Sequence, residues 1–170
     1  KLTKFNEKGE VIQPAAGIGA SKNIKYSFDI LSGLMMQSIA QGGSTMINEK
    51  GYPIFNLLSP ADKTYNPGET ALIFYTDFAQ SAKQVYTWNE SFPLDLDAFQ
   101  QNQLAFFFGY NQDLAFIKNG GQKLNFGIAP LPQLNESKPV NVADFWLQTV
   151  SFKSKNADKA WDFILYLSQK

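Results

Sequence analysis

Histidine, cysteine and arginine are all missing from this chain. Without His or Cys there is no Ser-His-Asp or Cys-His nucleophile, no Cys/His zinc site and no disulfide. Carboxylate, Tyr and Lys chemistry stays open. The lack of Cys suits an oxidising exterior and the cytoplasm equally, so it does not fix the compartment. Without Arg, the planar fork that grips phosphate or carboxylate through two bonds is absent. Lys and backbone amides would have to hold any anion, which tilts the expected ligand towards neutral molecules. A positive surplus is missing too: 15 basic residues face 15 acidic ones. Nucleic acid is therefore not an expected partner, because phosphate binding needs such a surplus. No run reaches the ~18 apolar residues of a membrane span. Nor is Lys1-Leu2-Thr3-Lys4 followed by the apolar stretch of a signal peptide. Secretion stays open for a mature or trimmed product.

What is present suffices for a core. Hydrophobic residues make up 44% of the 170 and aromatics 15%, too much apolar material for a disordered chain. Gly17-Ile18-Gly19 holds too few glycines for a dinucleotide fingerprint and reads as an approach to an element. From Tyr26 to Ala40, Phe28, Leu31, Met35 and Ile39 recur at helical spacing, with Ile30 and Leu34 beside them. Met35-Met36 reads as core filler. Ser44 to Phe55 reads as a hairpin turning at Asn48-Glu49-Lys50-Gly51. Asn66-Pro67-Gly68-Glu69 combines a capping Asn, Pro at the first helical position and an early acid. The helix it starts should bury Ala71, Leu72, Phe74, Tyr75 and Phe78.

Leu94 to Asn102 is expected as a short helix, and the continuous apolar run Leu104–Phe108 as a buried central strand. Asp113 to Asn119 reads as a short helix and Leu124 to Ala129 as a strand stopped by Pro130-Leu131-Pro132. Val140 to Phe152 reads as extended. Asn156 opens a last helix with Ala160, Trp161, Ile164, Leu165 and Leu167 on its inner face. Interleaved strands and helices give an α/β class.

In order along the chain, several stretches resemble the family 1 extracellular solute-binding proteins. They are Ile30–Gln37, Ala71–Tyr75, Leu94–Gln100 with Leu104–Tyr110, Leu124–Pro132, and Ser154–Ile164. Each match is short, but together they run in order along nearly the whole chain. The resemblance implies a periplasmic-binding-protein-like (type II) lobe: a mixed sheet flanked by helices, in a two-lobed molecule like maltose-binding protein with ligand between the lobes. Family members have roughly twice this length. The chain is thus expected to be a fragment, with residues 1–141 forming the second lobe and 142–170 a crossover strand and helix of the other. Trp161, Ile164 and Leu165 would then lack partners and stand partly exposed, or be buried by another copy of the chain. The implied role is non-enzymatic and extracytoplasmic: capture of a small neutral solute, a mono- or oligosaccharide, for the transmembrane subunits of an ABC permease. No cofactor is implied. A lipid-bearing N-terminus outside this chain would be its contact with the membrane.

Sugar recognition needs flat apolar faces and neutral polar groups. Trp88 sits in a polar loop. Tyr110, Asn111 and Gln112 follow the Leu104–Phe108 run, at the carboxyl end where open α/β sheets place ligands. The resemblance adds Trp146 in the crossover segment and Tyr26 at the start of the first long helix, although the family's common Trp is absent near Tyr110. Two alternatives remain. One is a carbohydrate-active enzyme using Asp95 and Asp97, although two acids at a helix start more simply face the helix dipole. The other is a free-standing extracellular interaction domain.

Overall fold

The computed structural model describes residues 2–41, 45–120, 124–143, 145 and 147–169. Five helices and one small sheet account for its regular elements: β1 (Lys4–Phe5), β2 (Val11–Gln13), α1 (Ser27–Gln41), α2 (Pro67–Asp77), α3 (Asp95–Gln100), α4 (Asp113–Asn119) and α5 (Ala157–Ser168). Local signals placed the helices well. Asn66 adopts extended φ/ψ and its side chain accepts the Glu69 amide at 3.2 Å, with Pro67 behind it. The cap thus satisfies one of the first-turn donors that a helix leaves unpaired. Helix α3 stops at Asn102, whose φ of 58° lies in the left-handed region that Asn tolerates better than most residues. The hairpin between residues 45 and 55 reduces to one antiparallel bridge, Ile47 with Pro53. Its turn is closed by the Gly51 amide donating to the Asn48 carbonyl at 2.9 Å.

The expected strands are where sequence and structure part. Among the described residues the only sheet is the antiparallel β1–β2 pair, and the mixed sheet is not formed there. Leu104–Phe108 is not a central strand. It makes one parallel bridge, in which the Phe106 amide donates to the Ala15 carbonyl at 2.8 Å, and Phe106 itself is 55% exposed. A central strand needs neighbours on both edges, and among the described residues this run has one backbone neighbour only, at Ala15–Ala16. Its side chains pack on a helix instead. Leu104 enters the core, and Phe107 stacks on Phe99 of α3 with ring centroids 5.9 Å apart. Leu124 to Ala129 likewise has no ladder.

The core lies where α1 meets α2, closed by the segments 14–24 and 87–104. Ile18, Ile24, Ile30, Tyr75, Trp88, Ala98 and Leu104 are its buried members. Of the stripe expected on α2, Ala71 and Tyr75 are buried and Phe78 half-buried, whereas Leu72 and Phe74 stand exposed, because α1 covers only one side. Phe28 of α1 points outward for the same reason. The Tyr75 hydroxyl donates to the Ala20 carbonyl at 2.6 Å, and burial pushes its pKa up to about 12, so the donor keeps its proton near neutrality. Gly19 lies beside this bond with φ at +99°. A Cβ there would stand 2.7 Å from the Ala79 nitrogen and 3.0 Å from the Tyr75 carbonyl oxygen. Only glycine combines that backbone with that approach.

Two polar side chains, half-buried Asn23 and buried Thr87, rivet the loops to this core. Asn23 donates through Nδ2 to the carbonyls of Asn89 and Phe92, both at 2.9 Å, and accepts from Trp88 Nε1 at 3.0 Å. Thr87 Oγ1 accepts from Thr3 Oγ1 at 2.9 Å and from the Ala15 amide at 2.8 Å.

Beyond residue 124 burial falls away. The loop 131–134 is held to α1 through buried Gln37, whose Oε1 accepts the Leu134 amide at 2.8 Å while Nε2 donates to the Pro132 carbonyl at 3.2 Å. Helix α5 buries none of its residues: Trp161 is 44% and Leu165 55% exposed, and Ile164 is half-buried. Asn156 precedes it without a side-chain capping bond.

Candidate functional site

Tyr26 closes the loop ahead of α1, and Tyr110 to Gln112 form the loop ahead of α4. Between them lies Asp113, the first residue of α4, which is 1% exposed. Its Oδ1 accepts from Lys25 Nζ at 2.6 Å and from the Tyr26 hydroxyl at 3.0 Å, and its Oδ2 accepts the Tyr110 amide at 2.9 Å. One carboxylate therefore ties residues 88 apart in sequence and fixes two tyrosines. The rings of Tyr26 and Tyr110 meet edge to face, with centroids 4.9 Å apart and planes at 83°. That is a favoured aromatic arrangement. Gln112 Nε2 donates to the Tyr26 hydroxyl at 3.3 Å, so this hydroxyl both donates and accepts within the protein. Gly109 leaves room for the arrangement: a Cβ there would overlap the Phe107 ring and stand 2.8 Å from Asp113 Oδ2.

The electrostatics follow from that geometry. Burial alone would raise the Asp113 pKa. The Lys25 ammonium, the Tyr110 amide and the Tyr26 hydroxyl outweigh it and hold the carboxyl below its ordinary value. Lys25 is raised in turn, chiefly by its bond to Asp113. The pair is thus ionised, and neutral as a unit.

Of the residues singled out from the sequence, Tyr26, Tyr110 and Gln112 come together here, with Asn111 exposed beside them. Tyr26 and Tyr110 are half-buried, and Gln112 is exposed. Trp88 belongs elsewhere. It is 0% exposed, its Nε1 is bound to Asn23, and its ring packs on Phe92 at 5.0 Å. The polar loop around it suggested a surface ring, but Asn23 draws that loop onto the core and leaves the indole no face for a ligand. Trp146 lies outside the described residues. Lys25 and Asp113 were missed as functional candidates because their partnership is made across the fold, and no local pattern announces it.

The two acids of α3 occupy different environments. Asp97 is exposed. Asp95 is 1% exposed, and its Oδ1 accepts the amides of Lys25 at 3.0 Å and Leu96 at 2.9 Å. Its Oδ2 is buried without a partner, and burial raises its pKa despite those amides. Asp95 thus serves to hold the Lys25 segment in place. Among the described residues no group of three or more acidic side chains is placed to hold a metal ion. A cavity of about 290 Å³ lined in part by Leu2, Ala15, Phe78 and Val85 shares no residue with the tyrosine cluster.

No curated protein and no solved structure matches this chain. The model of the family described as bacterial extracellular solute-binding protein matches residues 21–170, a span that contains the whole of the tyrosine cluster. With most of its length so matched, the chain belongs to the bacterial extracellular solute-binding proteins, which work outside the cytoplasm.

Proposed function

We propose that this chain supplies one wall of an interlobe cleft that captures a small neutral solute, a mono- or oligosaccharide, for an ABC importer. In this reading residues 1–141 belong to the second lobe and 142–170 cross into the first. Permease transmembrane subunits receive the closed complex. The chemistry is closure around a solute, with no bond made or broken. The observation that carries the reading is the convergence of Tyr26, Tyr110 and Gln112 on an ion pair that is neutral as a unit. Half-exposed aromatic rings suit the C–H faces of a sugar, and neutral amides suit its hydroxyls. Asn111 and, from the crossover, Trp146 complete the proposed wall.

The test is titration calorimetry on the full-length two-lobed protein with neutral sugars. Tyr110→Ala and Trp146→Ala should each weaken binding by roughly 5- to 150-fold, the worth of ~1–3 kcal/mol of stacked aromatic surface. Trp161→Ala should leave the affinity of the folded protein nearly unchanged. The lobe alone should bind weakly, since the opposite wall is missing. Unchanged affinity in both aromatic variants would mean that the ligand surface lies elsewhere. Sugar turnover abolished by Asp95→Asn or Asp97→Asn would replace the binding role with an enzymatic one.

A further inference from the structure

The Lys25–Asp113 pair is lopsided. The Lys25 side chain keeps 32% of its surface accessible, whereas that of Asp113 keeps 1%. The Lys25 side chain is thus partly accessible beside the tyrosines, while its counter-charge is buried. Lys25 Nζ sits 5.1 Å from the centroid of the Tyr26 ring and 5.8 Å from that of Phe116. Asp95 takes the backbone amide of Lys25 rather than its ammonium, so the bonded countercharge of that ammonium is Asp113. A wall with an exposed, uncompensated cation would attract anionic solutes. A wall whose cation is satisfied from below does not.

We propose that Asp113 is the specificity-determining residue of this surface: by neutralising Lys25 from beneath and fixing Tyr26 and Tyr110, it makes the wall select neutral over anionic solutes. The inference rests on reading this surface as the ligand wall, and it names the ligand class that the wall rejects as well as the one it takes. Tyr26 fits the same logic. Its hydroxyl is engaged on both sides, by Asp113 and Gln112, so the ring offers its surface rather than a hydrogen bond, and charge discrimination falls to the ion pair. Asp113 need not touch the solute. It positions Tyr26, Tyr110 and the Lys25 ammonium around it.

The experiment measures a ratio of affinities in the full-length protein. A panel of neutral mono- to tetrasaccharides is titrated by calorimetry, and each that binds is paired with its uronic acid counterpart, glucose with glucuronate for instance. The wild-type protein should prefer the neutral member at least tenfold. Asp113→Asn should cut that preference at least tenfold, with the uronate gaining in absolute affinity. Lys25→Met should move the ratio the other way. The double variant, with both charges gone, should return to neutral preference. Tyr26→Phe, which keeps the ion pair, should weaken both members together and leave the ratio alone. If Asp113→Asn fails to fold, Lys25→Met and the double variant still decide the matter. A wild type that binds neutral sugars while the ratio stays fixed in every charge variant overturns this inference alone. A wild type that binds nothing in the panel overturns the sugar-binding reading, and this inference with it.

Discussion

The segment 11–117 and the segment 124–169 are both rich in large apolar side chains, yet the buried hydrophobic residues of the core all lie in the first, from Val11 to Ile117. In the second, Phe145, Leu147, Phe152 and Phe163 are more than half exposed. Composition does not separate the two, but tethering does. The first segment is stitched by buried and half-buried polar groups that reach across the sequence: Asn23 to the 89–92 loop, Thr87 to Thr3 and Ala15, Asp95 to Lys25, Asp113 to Lys25 and Tyr26. Each satisfies backbone or side-chain donors or acceptors that would otherwise need water, so the loops can lie on apolar surface. The second segment has buried Gln37 as such an anchor, and α5 lies beyond its reach. An apolar helix is buried only when something holds a partner against it.

The sharpest way to break this comparison is to exchange the fates of two tryptophans. Trp88→Ala removes a fully buried indole and should cost about 3–5 kcal/mol in chemical denaturation. Trp161→Ala, at 44% exposure, should cost less than about 1 kcal/mol in this chain. Equal losses would show that α5 is packed after all. A smaller effect is expected at Gly19, where alanine meets both a positive φ and two backbone atoms of the α2 end. Strain of this kind is worth about 1–3 kcal/mol, visible as a lowered melting temperature. Gly127→Ala, where a Cβ meets nothing within 4 Å, should leave melting unchanged.

The acid limb of stability sharpens the contrast further, since two buried carboxyls pull in opposite directions. Asp113 is depressed. Its contribution is present above the ordinary carboxylate value of 3.8 and is lost as pH falls through its lower folded value. Asp95 is raised, first by burial. Its protonation favours the fold, so stability should rise as pH drops through its folded value towards 3.8, before Asp113 reverses the trend. Asp95→Asn should erase that rise and leave the later fall intact in melting curves taken against pH. The smallest effect belongs to the Asn66 cap. Its replacement by Ala should cost about 1 kcal/mol, and amide exchange should quicken only in the first turn of α2.

How much of this was legible in the sequence depends on range. Helix starts were read almost to the residue, because Asn66-Pro67 and the apolar spacing of 26–40 act within one or two turns. Strands were not, because the run of three Phe at 106–108 fits a sheet or a helix-facing coil equally well until its neighbours are known. Tyr26 was singled out through resemblance, and Tyr110 by its place after the Leu104–Phe108 run. The carboxylate that joins them was invisible, since Lys25 and Asp113 are paired by the fold rather than by spacing. Trp88 was misplaced for the same reason: Asn23, more than sixty residues away in the chain, decides that its loop turns inward.

Asn23 also makes the fold sensitive to the exchange of one amide for a carboxylate. Its side-chain amide faces two carbonyl oxygens, and its side-chain oxygen faces an indole N–H, so its two polar ends are not interchangeable. Hydrolysis of that amide to a carboxylate changes the mass by about one unit and the shape hardly at all. Yet it would aim an anionic oxygen at the carbonyls of Asn89 and Phe92, in place of the two N–H donors that now meet them. An Asn23→Asp variant should therefore loosen the 89–92 loop and uncover Trp88, visible as a red shift in tryptophan emission.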